Sequence, residues 1–253
     1  MASPCRQCWN CDDFWGVLLP IHETRVNVLS NKNILVEFLR PHRTIPQTPW
    51  TAKNRWDLTP MRVLILIVAL FFFGLGDALL IQSHTGNAPW SVFAQGLSIH
   101  TGLDLGVCTF IISGFILLLW WPLCERPGFG TLANMVVIAI GIQVGVDSFP
   151  VPHHVAIGIL YDFIGIAFVG IASAFYITCG LGPGPRDGLM TSLHNKTGIR
   201  VSRIRLMIEG GALICGWFLG GRLGIGTALF ALLIGQAIAI SLGAVSKINK
   251  SLQ

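Results

Sequence analysis

Arg186 and Asp187 stand side by side in a chain that is otherwise poor in charge, directly after the glycine- and proline-rich run 180–185. Proline suits the first turn of a helix and glycine the position after its end, so Pro185–Lys196, closed by Thr197-Gly198, is expected to be a short helix. Its start carries Gly184, Arg186 and Asp187. A helix N-terminus presents free N–H groups and about half a positive charge. Arginine adds a planar five-donor fork suited to carboxylate, sulfate or phosphate. Together these point to binding of an anionic or zwitterionic group. A second short segment, Pro89–His100, has the same punctuation and places Trp90 where the other has Arg186, offering an opposite wall. Trp90, Gly184, Arg186 and Asp187 are the candidate substrate-binding residues. The competing reading has Arg186 pairing with Asp187 or a nearby carbonyl and fixing the loop.

Two further carboxylates lie within apolar stretches, Asp77 and Asp162. Ionisable groups inside a membrane are costly and usually face a cavity or one another. Both are candidates for coupling to protons or cations; a hydrogen bond to serine, threonine or unwound backbone is the structural alternative. Glu209 follows Arg205 by four residues, a spacing that makes a same-face ion pair. His84, His100 and His194 border the short segments without metal-ligand spacing. Cys5, Cys8 and Cys11 form C-x2-C-x2-C but lack the fourth cysteine of an iron–sulfur run. Gly180–Gly184 lacks the Gly-Lys-Ser/Thr ending of a phosphate-binding loop. No nucleophile–base pair or metal constellation appears, so no catalytic residues, metal or cofactor are assigned and an enzyme is not expected.

The elements that position these residues are apolar. The 253 residues are 53% hydrophobic and only 11% charged, with a mean hydropathy of +0.67. A soluble domain carries about 25% charged residues. The chain is therefore an integral membrane protein whose partner is the bilayer. The net charge of +5 reports orientation and headgroup contact rather than nucleic acid. About 20 mainly apolar residues cross a bilayer as a helix. Six runs qualify, near 62–82, 104–123, 130–149, 155–178, 203–221 and 227–246. Upstream, 26–39 has the pattern of an amphipathic surface helix, and 41–60 of a loop with Trp50 and Trp56 at the level of an aromatic belt. Residues 1–60 are expected to be a poorly structured extension or a mis-assigned start, with Met61 a natural beginning. Residues 61–149 and 155–246 form two membrane repeats, and 247–253 a cytoplasmic tail.

The repeats are legible in the residues. Shifted by 96, Phe72–Ile142 lies over Phe168–Ile238 without a gap, and about 20 of 71 positions are identical. Gly74/Gly170, Gly86/Gly182, Pro89/Pro185, Trp121/Trp217, Arg126/Arg222 and Gly130-Thr131/Gly226-Thr227 coincide. The charged groups are where the copies differ: Asp77 matches Ser173, Asp162 matches Leu66, Glu209 matches Ser113. The short segments are too brief and polar to span, so each is expected to re-enter the membrane, which leaves three crossings per repeat and inverts the second. With both termini inside, 16 of the 17 Lys and Arg residues fall on the inner side, as the positive-inside rule requires. The expected fold is all-α, with about six transmembrane helices in two inverted three-helix repeats, each with a re-entrant half-helix. Gly141-x3-Gly145 and Gly216-x3-Gly220 permit close helix packing and are compatible with a homodimer.

The blocks GLGDALLIQSHTGNAPWSVFAQGLSIHTG and YITCGLGPGPRDGLMTSLHNKTG, followed by GGRLGIGT, resemble the YczE/YitT-type bacterial integral membrane proteins over roughly residues 62–245. The resemblance implies a multi-pass protein of the bacterial inner membrane and assigns no substrate. The architecture points to transport of a small anionic or zwitterionic solute. A non-transporting membrane accessory of a biosynthetic or secretory complex is the alternative.

Overall fold

Eight α-helices and no strand make up residues 46–251, which the computed structural model describes. They are α1 (Pro60–Gln82), α2 (Pro89–Thr101), α3 (Leu105–Leu118), α4 (Phe129–Ser148), α5 (Val155–Cys179), α6 (Pro185–Thr197), α7 (Val201–Phe218) and α8 (Ile225–Ser251). The cysteine run at 5–11 and the amphipathic pattern at 26–39 lie outside the described residues.

Proline at the first turn starts α1, α2 and α6, where its missing N–H costs nothing and its fixed φ suits the helix. Both short helices are 13 residues long and end on a left-handed glycine, Gly102 at φ 70° and Gly198 at φ 69°. Each of those glycines returns its N–H to a carbonyl four residues back, Ser98 and His194, at 2.8 Å.

Four helices, α1, α4, α5 and α8, are long and apolar enough to cross a membrane. The expected runs 104–123 and 203–221 are realised differently. The first becomes α3, only 14 residues, followed by turns through Cys124. Fourteen residues rise roughly 21 Å, short of the ~30 Å hydrocarbon core. α2 and α3 together form a pair bent by 114°. The second becomes α7, 18 residues whose first half carries Arg203, Arg205 and Glu209. A periodicity of apolar residues cannot show where a helix stops being long enough or dry enough, and both shortfalls are of that kind.

α1 is the central helix and packs on both α4 and α5. Its small residues allow this. A Cβ on Gly76 would lie 2.8 Å from the Gly165 carbonyl oxygen, and one on Gly74 would lie 2.8 Å from Gly141 Cα. Backbones this close gain dispersion contact along the helix, the main source of helix association in lipid. α8 packs on α5, α2 on α7, and α3 on α4 and α6. The Gly-x3-Gly motifs are used inside the chain: Gly141 and Gly145 face α1, and Gly216 faces Phe93 of α2. They are thus not free to form the dimer contact for which their spacing is suited.

Trp50 turns inward against the end of α5. It is buried, donates its indole N–H to Thr178 Oγ1 at 3.2 Å and stacks on Phe175. Trp56 is 56% exposed. The backbone also links distant segments in a related way at two places. Gly130 N–H donates to Leu181 O at 2.9 Å, and Gly226 N–H donates to Thr85 O at 3.2 Å; both partners differ by 96.

Candidate functional site

The loop between α5 and α6 is held on every side by side chains that satisfy its carbonyls. Thr131 Oγ1 donates to Pro183 O at 2.7 Å, and Trp120 Nε1 donates to Pro185 O at 3.0 Å. Thr131 lies inside the first turn of α4, and its hydroxyl accepts the Gly128 N–H at 3.1 Å. It is therefore a third-position capping residue rather than the start of the helix. Gly182, at φ 118°, lets the chain reverse against Gly128. Gly188 meets the Trp120 ring so closely that a Cβ there would lie 2.1 Å from it.

Tyr176 completes the frame. Its hydroxyl accepts the Gly184 N–H at 2.8 Å and donates to Asp187 Oδ2 at 2.9 Å. One phenol thus ties the last residue of the loop to the first turn of α6, and Asp187 has its partner in Tyr176. Arg186 is left without a hydrogen bond or ion pair among the described residues; its guanidinium carbon stands 5.6 Å from the centroid of the Trp90 ring, within cation–π range. The pairing with Asp187 that would have made Arg186 structural is not what the side chains do.

Trp90, Gly184, Arg186 and Asp187 all line one cavity of about 320 Å³. The starts of α2 and α6 meet there, with Pro89 and Gly184 both in its wall. Asn134 of α4 lies against Gly184, and Ser173 and Tyr176 of α5 complete the polar part. Arg205 and Glu209 of α7 close one side as an ion pair at 2.9 Å, as their spacing predicts. Aliphatic and aromatic side chains supply the remainder. A mostly apolar hollow with a few converging polar groups is the usual form of a small-molecule site.

Asp77 does not reach this cavity but faces a small neighbouring one of about 20 Å³, together with Trp90, Ser91, Ser113 and Arg186. It is 3% exposed, and its Oδ1 has no hydrogen-bond partner. The volume is enough for about one water. Trp90 Nε1 is also buried without a partner. Asp162 stands elsewhere. It is fully buried, accepts a hydrogen bond from the Thr85 hydroxyl, and turns Oδ1 toward Gly226. The structure brings Asp77 to Arg186 and leaves Asp162 at the loop before α2.

That loop has its own frame. The Arg222 guanidinium meets His84 Nδ1, and Gln95 Oε1 accepts both Asn87 Nδ2 at 2.9 Å and Arg222 N–H at 2.8 Å. Partial burial, and then the Arg222 charge, hold His84 below its usual pKa. Among the described residues no group of three or more His, Cys, Asp or Glu side chains is placed to hold a metal.

Tyr176, Asn134 and Trp120 are the site residues that sequence reasoning misses. Tyr176 carries the one usable signal. It is one of only two tyrosines in the chain, standing near the end of an apolar run.

Described residues that are helical, with several helices long and apolar enough to cross a membrane around a mostly apolar cavity, define a polytopic membrane protein. It belongs to a family of unknown function, DUF6198, whose model matches residues 60–242. An uncharacterized protein of Haemophilus influenzae is 36% identical over 206 residues, covering 81% of this chain and 94% of that one. The uncharacterized membrane protein YczE of Bacillus subtilis is 34% identical over 187 residues, covering 71% and 86%. The YczE-type resemblance of the two loop blocks is thereby shown. No solved structure matches.

Proposed function

We propose that the cavity at the starts of α2 and α6 binds a small anionic or zwitterionic solute and that the protein transports it. The observation that carries this is Arg186: an unpaired guanidinium over an aromatic face, in a cavity large enough for a small molecule. A half-buried guanidinium with no hydrogen bond and no direct ion pair has donors left for a ligand. A carboxylate or phosphate held by Arg186 and facing Trp90 would take them.

The architecture that supports transport is a pair of inverted repeats with α2 and α6 as re-entrant half-helices. The 13-residue lengths, the matched glycine caps, the 114° bend between α2 and α3, and the two backbone bonds related by 96 residues favour it. Sites in such folds lie where the repeats meet, at the ends of broken helices. The distribution of Lys and Arg supports a cytoplasmic side for both termini in this reading.

Asp77 is the coupling group in this reading. It shares a chamber with Arg186, whereas Asp162, which also keeps one oxygen without a partner, is bound through the other to Thr85 at the loop before α2. In proteoliposomes, Asp77→Asn is expected to keep solute binding and abolish the dependence of uptake on a proton gradient. Unchanged proton dependence would remove Asp77 from the mechanism.

The direct test is thermal unfolding of purified protein against small anions, amino acids and organic acids, with Arg186→Ala alongside. A ligand raises stability only through binding the folded state. A shift in the wild type that the variant loses is the expected result. A shift that both proteins share would separate Arg186 from the ligand. No shift with any compound would favour the accessory role.

A further inference from the structure

Arg186 does not account for most of the cavity wall. α8 contributes Phe230, Ile234, Ile238 and Leu242, each four residues after the last. That spacing stacks them on one helix face, in an apolar ladder roughly 18 Å long. The charged side chains of the wall come from α6 and α7, and three of the four are already engaged. Asp187 accepts from Tyr176, and Arg205 pairs with Glu209. Among the described residues lining this cavity, one free cation faces one long apolar strip.

The cavity is loosely walled between α7 and α8. In the first half, α3 packs on α4; in the second, α7 makes no comparable contact with α8, which leans on α5. Gly235 of α8 lines the cavity and is exposed, and a Cβ added to it would meet nothing within 4 Å. Gly211 of α7 is likewise exposed and open. On the outer faces of the same two helices, Leu206 is 74% and Leu232 73% exposed. Such side chains on a membrane protein face lipid.

We infer that the solute is an amphiphile with one anionic head and an alkyl tail, taken in sideways from the bilayer between α7 and α8, with the head on Arg186 and the tail along the α8 ladder. This rests on the proposed solute site and narrows its substrate class. The same chemistry belongs to an anionic membrane lipid and to a free alkyl acid.

The experiment places the whole protein in nanodiscs of zwitterionic lipid and follows thermal unfolding with acetate, butyrate, hexanoate and octanoate. Wild type, Arg186→Ala and Gly235→Phe are compared, with free acid concentrations corrected for partition into empty nanodiscs. Each methylene that enters an apolar slot strengthens binding about fourfold, so affinity is expected to climb steeply along the series. Arg186→Ala is expected to weaken binding at every chain length. Gly235→Phe projects a ring into open space, so it folds as wild type does while flattening the dependence on chain length. Lipid extracted with wild-type protein and identified by mass spectrometry separates the sources: an anionic lipid enriched over Arg186→Ala points to the bilayer, and climbing affinity without such enrichment points to free acids. Binding that depends on Arg186 but not on chain length would overturn the amphiphile and leave the solute site standing. Failure of the alkyl acids together with the polar compounds would overturn both.

Discussion

The loop before α2 and the loop before α6 have the same punctuation and opposite chemistry. Each turns on a glycine of positive φ, Gly86 and Gly182, and each is clamped by a glycine backbone bond from a distant helix start. At the first, Thr85 hydrogen-bonds one oxygen of Asp162, Gln95 accepts the Asn87 amide N–H, and Arg222 leans on His84, while Asn87 Oδ1 and Asp162 Oδ1 stay without partners. At the second, Tyr176 satisfies Asp187, and Arg186 is left over. The packing is also exchanged. At α2 the backbone of Val92 and Phe93 sits on Gly216, while at α6 the small residue is Gly188 and the large one is Trp120. The glycine and proline frame sets the shape in both places, and the departures from it decide which of the two loops holds a charge ready for a ligand.

The exchanged pair gives the largest effect. Trp120 is 1% exposed and supplies the only indole N–H to Pro185 O. Trp120→Ala is expected to cost about 3–5 kcal/mol through the void it leaves, measured by chemical or thermal unfolding in the same lipid environment. The double variant Trp120→Gly with Gly188→Val transplants the packing of the first loop onto the second. It is expected to recover part of that loss, because residues in contact do not add independently. No recovery would mean that the hydrogen bond to Pro185, rather than the filling of space, makes Trp120 necessary.

Arg186 comes next. At a ligand concentration of one hundred times Kd, wild type gains about 2.7 kcal/mol of stability, and Arg186→Ala is expected to gain almost none. Arg205→Ala, at the opposite wall, tests whether any cation suffices. Its charge is engaged by Glu209, so a loss as large as that of Arg186→Ala would contradict the division between a free and a paired arginine.

Tyr176→Phe removes one oxygen and keeps the shape. The Gly184 N–H is buried and loses its acceptor, at a cost of about 1–3 kcal/mol. Asp187 is exposed and is freed at the same time, so it can turn to Arg186. The variant is therefore expected to lose stability and also to weaken ligand binding by giving Arg186 an internal counter-ion. The matching residue at the other half is Leu80, which has no hydroxyl to offer. A variant that lost stability but bound ligand as before would show that Tyr176 is purely structural.

Much of this was legible before any coordinates, and the limits have physical causes. The boundaries of the two short helices follow from proline and glycine, which act through local backbone geometry, and they appear within a residue of where the sequence puts them. The Arg205–Glu209 pair follows from helical spacing alone. The inward turn of Trp50 is not legible, because an aromatic near the membrane edge has the same composition whether it points to headgroups or folds inward; the distant Thr178 hydroxyl decides. The turns that follow α3 bring Trp120 to Pro185, a contact 65 residues apart in sequence that no local pattern carries. Asp77 and Asp162 look alike as isolated carboxylates in apolar runs. What separates them is whether a hydroxyl or a guanidinium lies across the packed interface, and no pattern along one helix carries that.

His84 gives the smallest effect and the one that probes the first loop without touching the second. Burial and the adjacent Arg222 disfavour its charged form in the folded protein. In the unfolded chain it titrates near its ordinary value of about 6.5. Between the lowered folded value and that ordinary one, the unfolded state binds more protons, so stability rises with pH across the window and is fully present above it. Acidification through the window therefore loosens the contact of His84 with Arg222, while His84→Gln is expected to remove that part of the pH dependence and leave stability at neutral pH nearly unchanged. Unfolding curves of the two proteins measured across this range would show the difference directly. If they stay parallel throughout, the contact between loop 83–88 and Arg222 does not depend on the imidazole, and the backbone bonds Asn87 N–H to Arg222 O and Gly226 N–H to Thr85 O hold the first loop by themselves.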